Sequence, residues 1–534
     1  VREPPSVISR IVYQHFRDSI MQLDQKYTLP DGHNKQHFID ELAERYTIKK
    51  EPAVAERLTI YDTFDWRLFN KSLVLYACGN ILFLRKLAET EIMHSTEIST
   101  FPVFIWEFPD GELKNHLGPI IKMRALIRLA AVNSRSIPYR ILNADEKTVL
   151  RLAYEEFKTS RKKNAPGLAT QLWLKPVKGY PKYARDLARR IEAAGFTLSK
   201  ADDLYFNALA VVDKKPGSYS AKVNIQLDPD MRSDEATKAI LRFLVQVMRI
   251  NEAKLEKDLD TEFLHDFRVA IRRTRSALGQ IKYVFPTRTT NRFKKDFAYV
   301  GKLSNELRDL DVYLLNEDKY KAMLPPILRD DIDPLFDYLR KKRSKALQKV
   351  IRGLKTKRYV TIMQDWEAFL NKGQQNSVTA SNAEASAIGL ARKRIYKKYR
   401  NVVKTGSQIL ENTEDEMLHV LRIHCKKLRY LMEFFSSLFS RKKMNTLIAQ
   451  LKKLQDNLGE FNDLCVQREY LLNLIEELPT TQQQNKKTLA AIGSLIGAMD
   501  KEKQTVKDTF AETFTDFASS ANQELFRELF SSKA

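Results

Sequence analysis

The same pattern of basic residues occurs twice in this sequence, 154 residues apart. HDFRVAIRRTR begins at His265 and HVLRIHCKKLR begins at His419, and LRDLDV at Leu307 and FNDLCV at Phe461 have the same separation. Two coincidences at one spacing indicate a duplicated structural unit. From about Asp228 onward, apolar residues recur at helical spacing while glycine and proline become scarce, so this duplicated unit is predicted to be helical.

Placed on a helix, each copy of the pattern gathers its cations on one narrow face. Successive residues advance by about 100°, which keeps the cations of one copy within roughly 80° of arc. We call these faces the first stripe and the second stripe. The first stripe holds His265, Arg268, Arg272 and Arg275, with Arg273 at its edge, and the second holds His419, Arg422, Lys426 and Arg429, with Lys427 at its edge. Apolar residues such as Phe267 and Leu421 fall on the opposite side and are expected to face a core.

The stripes indicate a binding surface for an anion. Like charges one helical turn apart destabilise a helix by about 0.2–0.5 kcal/mol per pair, and neither stripe contains a carboxylate that would relieve this. Arginine offers paired donors that match phosphate oxygens, and histidine can add another. The alternative is that these are ordinary exposed cations, some of them paired with Asp309 or Asp463, which could also hold a cation in position. His424 falls toward the apolar side and is predicted to be a core histidine.

The composition of the chain favours an anionic partner. The 90 lysines and arginines against 67 aspartates and glutamates give a formal net charge of +23, which attracts nucleic acid, acidic membrane or polyphosphate. Cys78, Cys425 and Cys465 form no CxxC pair, so neither a disulfide framework nor a zinc site is indicated. The most apolar stretch, residues 73–84, is too short to span a bilayer. We therefore expect a soluble cytoplasmic chain without a membrane segment.

The length of 534 residues predicts two or more domains. The first 215 or so residues have the texture of a mixed α+β domain that ends near the run DKKPGSYS at residues 213–220. The predicted strands are residues 57–64, 101–108 and 170–177, and the predicted helices are residues 36–46 and 183–195. In the helical part, the polar stretch at residues 371–385 is predicted to be a loop between two halves.

The repeated stripe, followed by LRDLDV and by LQDNLGEFND, resembles the CHAD domain, a helical domain named for a conserved histidine. The resemblance covers residues 232–530, with halves at about 232–370 and 384–530. It implies an all-α domain of two helical bundles related by pseudo-twofold symmetry, which binds inorganic polyphosphate in a basic groove and associates with polyphosphate granules. The implied binding residues are His265, Arg268, Arg272, Arg273, Arg275, Arg308, His419, Arg422, Lys426, Lys427 and Arg429. Asn462 replaces Arg308 in the second copy, so the halves need not bind equally.

The N-terminal region resembles a degraded CYTH domain, the antiparallel β fold known as the triphosphate tunnel. The resemblance spans residues 18–213, is followed by a linker at 214–231, and rests on YDTFDWRL, ILFLRKL, NADEKTVLRLAYEE and LWLKPVKGYPKYARDL. The family opens with a Glu-x-Glu-x-Lys strand whose carboxylates bind a divalent metal. This chain has Gln22, Asp24 and Lys26 instead, so neither a metal site nor a catalytic residue is predicted.

An anion could still bind in such a tunnel through the remaining cations. The candidates are Lys26, Arg85, Lys147, Arg151 and Lys175, with Lys122, Arg124 and Arg140 in addition. Glu107 would suit a phosphate poorly if it lay on the tunnel wall.

The preferred interpretation is a non-catalytic protein that binds polyphosphate and has no cofactor. One alternative is a metal-dependent triphosphatase or polyphosphatase that acts through the N-terminal tunnel. Another is a nucleic-acid-binding protein, although base stacking usually requires aromatic residues among the cations. Only Tyr430 lies beside a stripe, which makes nucleic acid the less favoured partner.

Overall fold

The computed structural model describes residues 25–89, 91–159, 168, 170–373, 380–411, 414–477 and 483–531. The chain divides into two compact units, Val1–Ser220 and Ala221–Ala534, which we call the first unit and the second unit. The finer domain limits given above remain predictions. Gln22 and Asp24, on which the prediction of a degraded metal site rests, lie outside the described residues.

The first unit is built on an antiparallel sheet of ten strands, which confirms the fold class predicted for this part of the chain. The strands are β1 (Gln25–Thr28), β2 (Thr47–Lys50), β3 (Val54–Thr63), β4 (Leu73–Cys78), β5 (Ile81–Lys86), β6 (Ile92–Glu97), β7 (Leu126–Leu142), β8 (Thr148–Thr159), β9 (Gln171–Pro176) and β10 (Thr197–Leu198). Hydrogen bonds connect them in the order β10-β1-β9-β8-β7-β3-β4-β5-β6, and β2 pairs with β7 beside β3. The predicted strands at 57–64 and 170–177 correspond to β3 and β9.

Helices cover one face of the β1-β9-β8 part of this sheet. The helices of the unit are α1 (Lys35–Ala43), α2 (Glu112–Ile121), α3 (Pro181–Ala193) and α4 (Asp203–Val211), with short 3-10 turns at Phe69–Lys71 and Ile105–Glu107. Phe38 of α1 and Leu187 of α3 belong to one buried cluster with Leu152 and Leu174 of the sheet. Because side chains alternate along a strand, the neighbours of these leucines point to the opposite face, which is polar. The predicted helices at 36–46 and 183–195 match α1 and α3.

The predicted strand at residues 101–108 is wrong. These residues form a loop that contains the 3-10 turn Ile105–Glu107. The Glu107 carboxylate accepts hydrogen bonds from the backbone N–H groups of Val103 and Phe104, at 2.7 and 3.2 Å. These donors are therefore satisfied without a neighbouring strand. Glu107 is exposed in this loop and does not lie on a strand of the sheet.

The second unit consists of helices, which confirms the predicted all-α class. The helices are α5 (Ser233–Leu255), α6 (Glu262–Gln280), α7 (Thr287–Lys302), α8 (Asn305–Leu315), α9 (Glu317–Met323), α10 (Asp333–Leu354), α11 (Lys357–Asn371), α12 (Ala387–Glu411), α13 (Asp415–Phe434), α14 (Arg441–Glu477), α15 (Gln483–Asp508), α16 (Phe510–Phe517) and α17 (Ser520–Phe530), with 3-10 turns at Pro326–Leu328 and Ser436–Leu438. None of the helices within the described residues combines the length and the apolarity needed to cross a membrane.

The helices of the second unit form two halves related by the 154-residue repeat. Adding 154 to the limits of α5, α6 and α10 gives α12, α13 and α15 to within a few residues. Two pairs of residues separated by 154 positions also contact each other. Arg232 and Ser386 form a β-bridge, and the Tyr313 hydroxyl donates a hydrogen bond to the Gln467 carbonyl oxygen at 2.6 Å. A residue can contact its own repeat equivalent only near the axis that relates the copies, so a pseudo-twofold axis passes through both pairs.

One stretch differs between the halves. The first half has the separate helices α7, α8 and α9 where the second half has the continuous helix α14. Ser304 lies in the break between α7 and α8, and its equivalent, Leu458, is buried inside α14. The break therefore brings polar groups, absent from the second half, to the end of α8.

Candidate anion-binding site

The two stripes lie on α6 and α13, and packing of the opposite faces fixes their orientation. Phe267, Ile271 and Leu278 of α6 are buried, and so are Leu421 and Leu428 of α13, as the helical spacing predicted. The helices α6 and α13 contact each other. Two cationic faces that were 154 residues apart in sequence are thus adjacent in the second unit.

The centre of the site is formed by cations from both stripes. Burial and the charges of Arg422 and Arg272 lower the pKa of Lys426 to about 8. Burial also lowers the pKa of Arg422, and the charge of Arg272 adds to that effect. Arg272 belongs to the first stripe, whereas Arg422 and Lys426 belong to the second. The stripes therefore form one continuous cationic surface, which we call the central surface.

Polar groups at the α7–α8 break hold Arg268 at the first-stripe end of this surface. Its guanidinium donates to the Ser304 hydroxyl at 3.0 Å and to the Asn305 side-chain oxygen at 2.9 Å. Burial lowers the pKa of Arg268 to about 10, partly opposed by the charge of Asp309, so the side chain stays charged at neutral pH. Burial likewise lowers the pKa of Arg308, whose charge acts on Arg268.

The second stripe is held differently, because Asn462 replaces Arg308. His419 Nδ1 lies 2.8 Å from the side-chain oxygen of Asn462, so Asn462 orients the imidazole ring. Arg422 donates to the Asp463 carboxylate at 3.0 Å. For this arginine, the ion pair agrees with the alternative interpretation, in which stripe cations pair with Asp309 or Asp463 of the protein itself. The structure thus places an amide and an acid at one end of the second stripe.

The prediction that Arg273 binds an external anion is wrong, because its charge is already neutralised inside the protein. It is 8% exposed, donates to the carbonyl oxygen of Ala221 at 2.7 Å and forms an ion pair with Glu433 Oε2 at 2.6 Å. The other carboxylate oxygen of Glu433 lies 3.2 Å from Arg429 Nε. Arg273 is therefore not available to an external anion, and Arg429 is only partly available. The expectation that no carboxylate accompanies the stripes is wrong at this position.

The repeated pattern did not identify Glu433 as part of the site, because this residue lies one helical turn after the pattern ends. The signal that could have identified it is its position four residues after Arg429, where helical spacing places an ion-pair partner. Its equivalent in the first copy is Gly279, so comparison of the copies did not reveal it.

His424 is half-buried beside Lys398 and Lys427, so the prediction of a core histidine is wrong. Its Nδ1 is 3.4 Å from the Thr405 hydroxyl. Burial and the nearby charges of Lys398 and Lys427 lower its pKa, so the ring is neutral at neutral pH. Arg275 and Lys427 form no ion pair with any carboxylate of the described chain.

Two cations predicted to bind an anion in the first unit have structural roles instead. The buried Arg85 guanidinium donates to the carbonyl oxygens of Lys86, Leu87, Glu89 and Ala201. Arg124 is completely buried, and its Nε lies 3.5 Å from the Asp65 carboxylate. Neither side chain is available to a ligand, so both predictions are wrong.

Glu51 neutralises two further candidates. Its two carboxylate oxygens lie 2.9 Å from Arg140 Nε and 3.6 Å from Arg151 Nη1. Lys147 lies in the exposed turn between β7 and β8, and Lys122 is exposed at the end of α2. The structure therefore does not gather these four cations around one anion.

Lys26 and Lys175 both lie close to the Trp173 indole on the polar face of the sheet. Their Nζ atoms are 3.7 and 5.3 Å from the ring centroid. The buried Glu155 lies near both, and burial raises its pKa against the opposing charges of Lys26 and Lys175. This face is mixed in charge. In the described part of the chain, no group of three His, Cys, Asp or Glu side chains could hold a metal ion.

Comparison with solved structures places this chain beside three proteins. The CHAD domain from the plant Ricinus communis is 24% identical, with 55% of this chain and 95% of that chain covered and a TM-score of 0.46. PptA from Streptomyces chartreusis is 13% identical, with 53% and 100% covered and a TM-score of 0.42. HpAC1 from Hippeastrum, described as an adenylyl cyclase with a dominant triphosphatase activity, is 14% identical, with 37% and 99% covered and a TM-score of 0.26.

Similarity in sequence extends to two uncharacterized proteins of Mycobacterium tuberculosis. Each is 22% identical over 249 residues, which is 46% of this chain and 46% of the relative. The chain thus spans about half the length of these curated relatives. The family model for the CHAD domain matches residues 239–472, a range that includes both stripes. The helical second unit therefore contains a CHAD domain.

Proposed function

We propose that the second unit binds inorganic polyphosphate along the central surface. The observation that supports this most directly is the position of Arg272 beside Arg422 and Lys426. Arg272 and Lys426 form no ion pair with a carboxylate of the described chain, and the charge of Asp463 offsets only part of the repulsion that lowers the pKa of Lys426. An external polyanion would relieve it. The link between CHAD domains and polyphosphate favours the same ligand.

Polyphosphate suits this surface because it carries a negative charge on nearly every phosphate along a flexible chain. Each charge-assisted hydrogen bond would contribute about 1.5–3 kcal/mol before the cost of ordering the polymer. Arg272 and Arg275 are exposed, and Lys426 is half-buried near Arg272 and Arg422. A single chain could therefore contact both stripes at once. We further propose that this binding places the protein on polyphosphate granules.

The experiment is a titration of polyphosphate of defined length against wild type and the triple variant Arg272→Ala, Arg422→Ala, Lys426→Ala. We expect a loss of at least about 100-fold, since three charge-assisted contacts disappear. The control removes the same charge from exposed helical positions: Lys341→Ala, Lys345→Ala, Lys501→Ala. Equal losses in both variants would contradict a specific site and indicate only attraction by net charge. Circular dichroism would establish that the variants remain folded.

Nucleic acid is the competing ligand, and the position of Tyr430 argues against it. This tyrosine is 6% exposed, and the guanidinium groups of Arg273 and Arg429 lie 5.8 and 5.9 Å from its ring centroid. It therefore offers no open face on which a base could stack. We expect long-chain polyphosphate to displace RNA or duplex DNA from the protein. Equal competition by duplex DNA at physiological salt would refute the polyphosphate assignment.

For the first unit we propose a degraded tunnel-like domain without phosphatase activity. Four of its eight candidate cations are paired internally, as described above for Arg85, Arg124, Arg140 and Arg151. Lys26 and Lys175 lie on the polar face, and Arg140 and Arg151 stand in register with Lys175 on neighbouring strands but share the Glu51 carboxylate. The test is phosphate release from tripolyphosphate by the full chain with Mg²⁺ or Mn²⁺. Metal-dependent release would favour the alternative, a triphosphatase or polyphosphatase.

A further inference from the structure

A second group of cations adjoins the edge of the second stripe at Lys427. It consists of Lys282, Lys397, Lys398 and Lys427, and we call it the lysine cluster. Burial lowers the pKa of Lys398, and the charges of Lys427, Lys282 and Lys397 lower it further. In the described part of the chain, none of these lysines forms an ion pair with a carboxylate. The cluster is thus cationic and lacks internal compensation.

The pseudo-twofold symmetry shows why this cluster exists in one half only. Lys427 is the repeat equivalent of Arg273, whose charge is met by Glu433. The residue that would meet Lys427 in the same way stands 154 positions before Glu433, and it is Gly279. In one half, therefore, an acid forms an ion pair with the cation at this position, whereas the other half has a glycine in place of that acid.

The neighbouring helix α12 also has a cation that its counterpart in the first half lacks. Lys398 lies on α12, which packs against α13, and it stands where the first half has the buried Leu244. The two halves therefore differ at this position, where one has a core leucine and the other has a lysine near Lys427. Lys282 follows the end of α6 and adds a charge from the other half. Half-burial of an uncompensated ammonium group costs folding free energy, which a bound anion would offset.

We propose that the lysine cluster is a third anion subsite, which takes the phosphates of a chain that continues beyond the second stripe. This inference rests on the proposed function. Lys427 adjoins Lys426 on α13 and connects the central surface with the cluster. Flexible ammonium groups suit successive phosphates whose geometry varies. The consequence is a length preference: short chains occupy the central surface alone, and long chains occupy both.

The test compares the double variant Lys282→Gln, Lys398→Gln with wild type and with the charge-matched control Lys341→Gln, Lys345→Gln. The probes are tripolyphosphate and polyphosphate of about 100 phosphates, each titrated over a range of salt concentrations. Relative to the control, we expect the double variant to bind the long chain about tenfold more weakly. The slope of log affinity against log salt concentration should also be smaller in magnitude by about 1.4, or about 0.7 per cation. The affinity of the double variant for tripolyphosphate should match that of the control.

A second measurement does not depend on the variant. Acetylation of Lys398 in the wild type, followed by mass spectrometry, should slow in the presence of the long chain and not with tripolyphosphate. Unchanged long-chain affinity and salt slope in the double variant, with the loss of binding in the central-surface variant intact, would overturn the third subsite and leave the proposed function standing. If the wild type binds no polyphosphate, both fail.

Discussion

Arg272 and Lys426 are equivalent residues of the two repeats, and they are also close enough that the charge of Arg272 lowers the pKa of Lys426. The pseudo-twofold axis therefore passes near this pair, as it does near Tyr313 and Gln467. Around such an axis a cation meets its own equivalent, which is another cation. The repulsion at the centre of the site is thus a direct result of the symmetry.

Replacement of Lys426 by methionine should stabilise the protein and weaken anion binding. The folded chain lowers the pKa of this lysine to about 8, so its charged form costs folding free energy at every pH below about 8. That cost declines as pH rises toward the ordinary lysine pKa of about 10.5. Lys426→Met should raise Tm by about 1–3 °C at pH 7. Thermal unfolding without anion measures this, and a lower Tm would contradict it.

The same pKa predicts proton uptake when polyphosphate binds. Phosphates around Lys426 favour its charged form and raise its pKa, so affinity should fall as the pH rises above about 8. The control is Lys426→Arg, which stays charged and should flatten this dependence. Calorimetry at pH 8.5 in two buffers of different ionisation enthalpy would measure the uptake. An identical pH dependence in both proteins would rule out Lys426 as its source.

Glu433→Gln should lower stability and raise affinity. The substitution leaves the buried Arg273 without a counter-charge, and loss of one partner of a buried pair costs about 3–5 kcal/mol. Arg429 becomes more available to phosphate. Urea denaturation with and without polyphosphate should show a destabilised variant that the ligand restores. Glu306→Gln breaks the exposed pair with Lys349 and should cost less than about 1 kcal/mol.

Two glycines of the second unit should respond oppositely to alanine. A Cβ on Gly406 of α12 would overlap the ring of Phe514, so Gly406→Ala should cost about 1–3 kcal/mol through overpacking. A Cβ on Gly493 of α15 meets nothing within 4 Å, so Gly493→Ala should gain about 0.5–1 kcal/mol. Chemical denaturation measures both changes. Equal effects would show that the packing of Phe514 against α12 is not as described.

Asp65→Asn should destabilise the first unit in a pH-dependent way. Burial alone would raise the pKa of Asp65, but Arg124 and Arg67 hold it below its ordinary value. The ionised carboxylate therefore adds stability above the ordinary aspartate pKa of about 3.9, and this is lost as pH falls through the lower folded pKa. We expect a cost of about 3 kcal/mol at pH 7, where the buried Arg124 loses the ion pair with Asp65.

Tryptophan fluorescence can follow this change. Of the four tryptophans, Trp66, Trp106 and Trp173 lie in the first unit and only Trp366 lies in the second. Asp110→Asn, which removes an exposed partner of Lys114, serves as the control. A difference between the two variants that stays constant from pH 7 to pH 2 would exclude the ion pair as the cause.

The parts of the site that follow from local geometry could be predicted from the sequence. A fixed angle per residue on a helix placed Arg272 and Lys426 opposite the buried Phe267 and Leu428. Equal spacing of the copies also anticipated the symmetry. The position of Glu433 between Arg273 and Arg429 depends on how α6 and α13 cross, which no local rule gives.

The same limit applies to residues brought together only by tertiary packing. Lys282 and Lys398 are 116 positions apart in sequence and belong to different halves, so no motif connects them. In the first unit, Arg85 is held by carbonyl oxygens as distant as that of Ala201. The segment at 101–108 was composed like a strand, but the Glu107 carboxylate satisfied its backbone donors. The composition of a segment does not show which acceptor its backbone N–H groups will bond to.

The contacts that link Arg232 to Ser386 and Tyr313 to Gln467 are those that two identical subunits would make in a homodimer of a single repeat. In such a dimer every substitution would appear twice, so Glu433 would occur in both copies or in neither. A single polypeptide that carries both repeats is free of that constraint. An acid therefore occupies one position and a glycine occupies its counterpart, so the two ends of the central surface are chemically distinct.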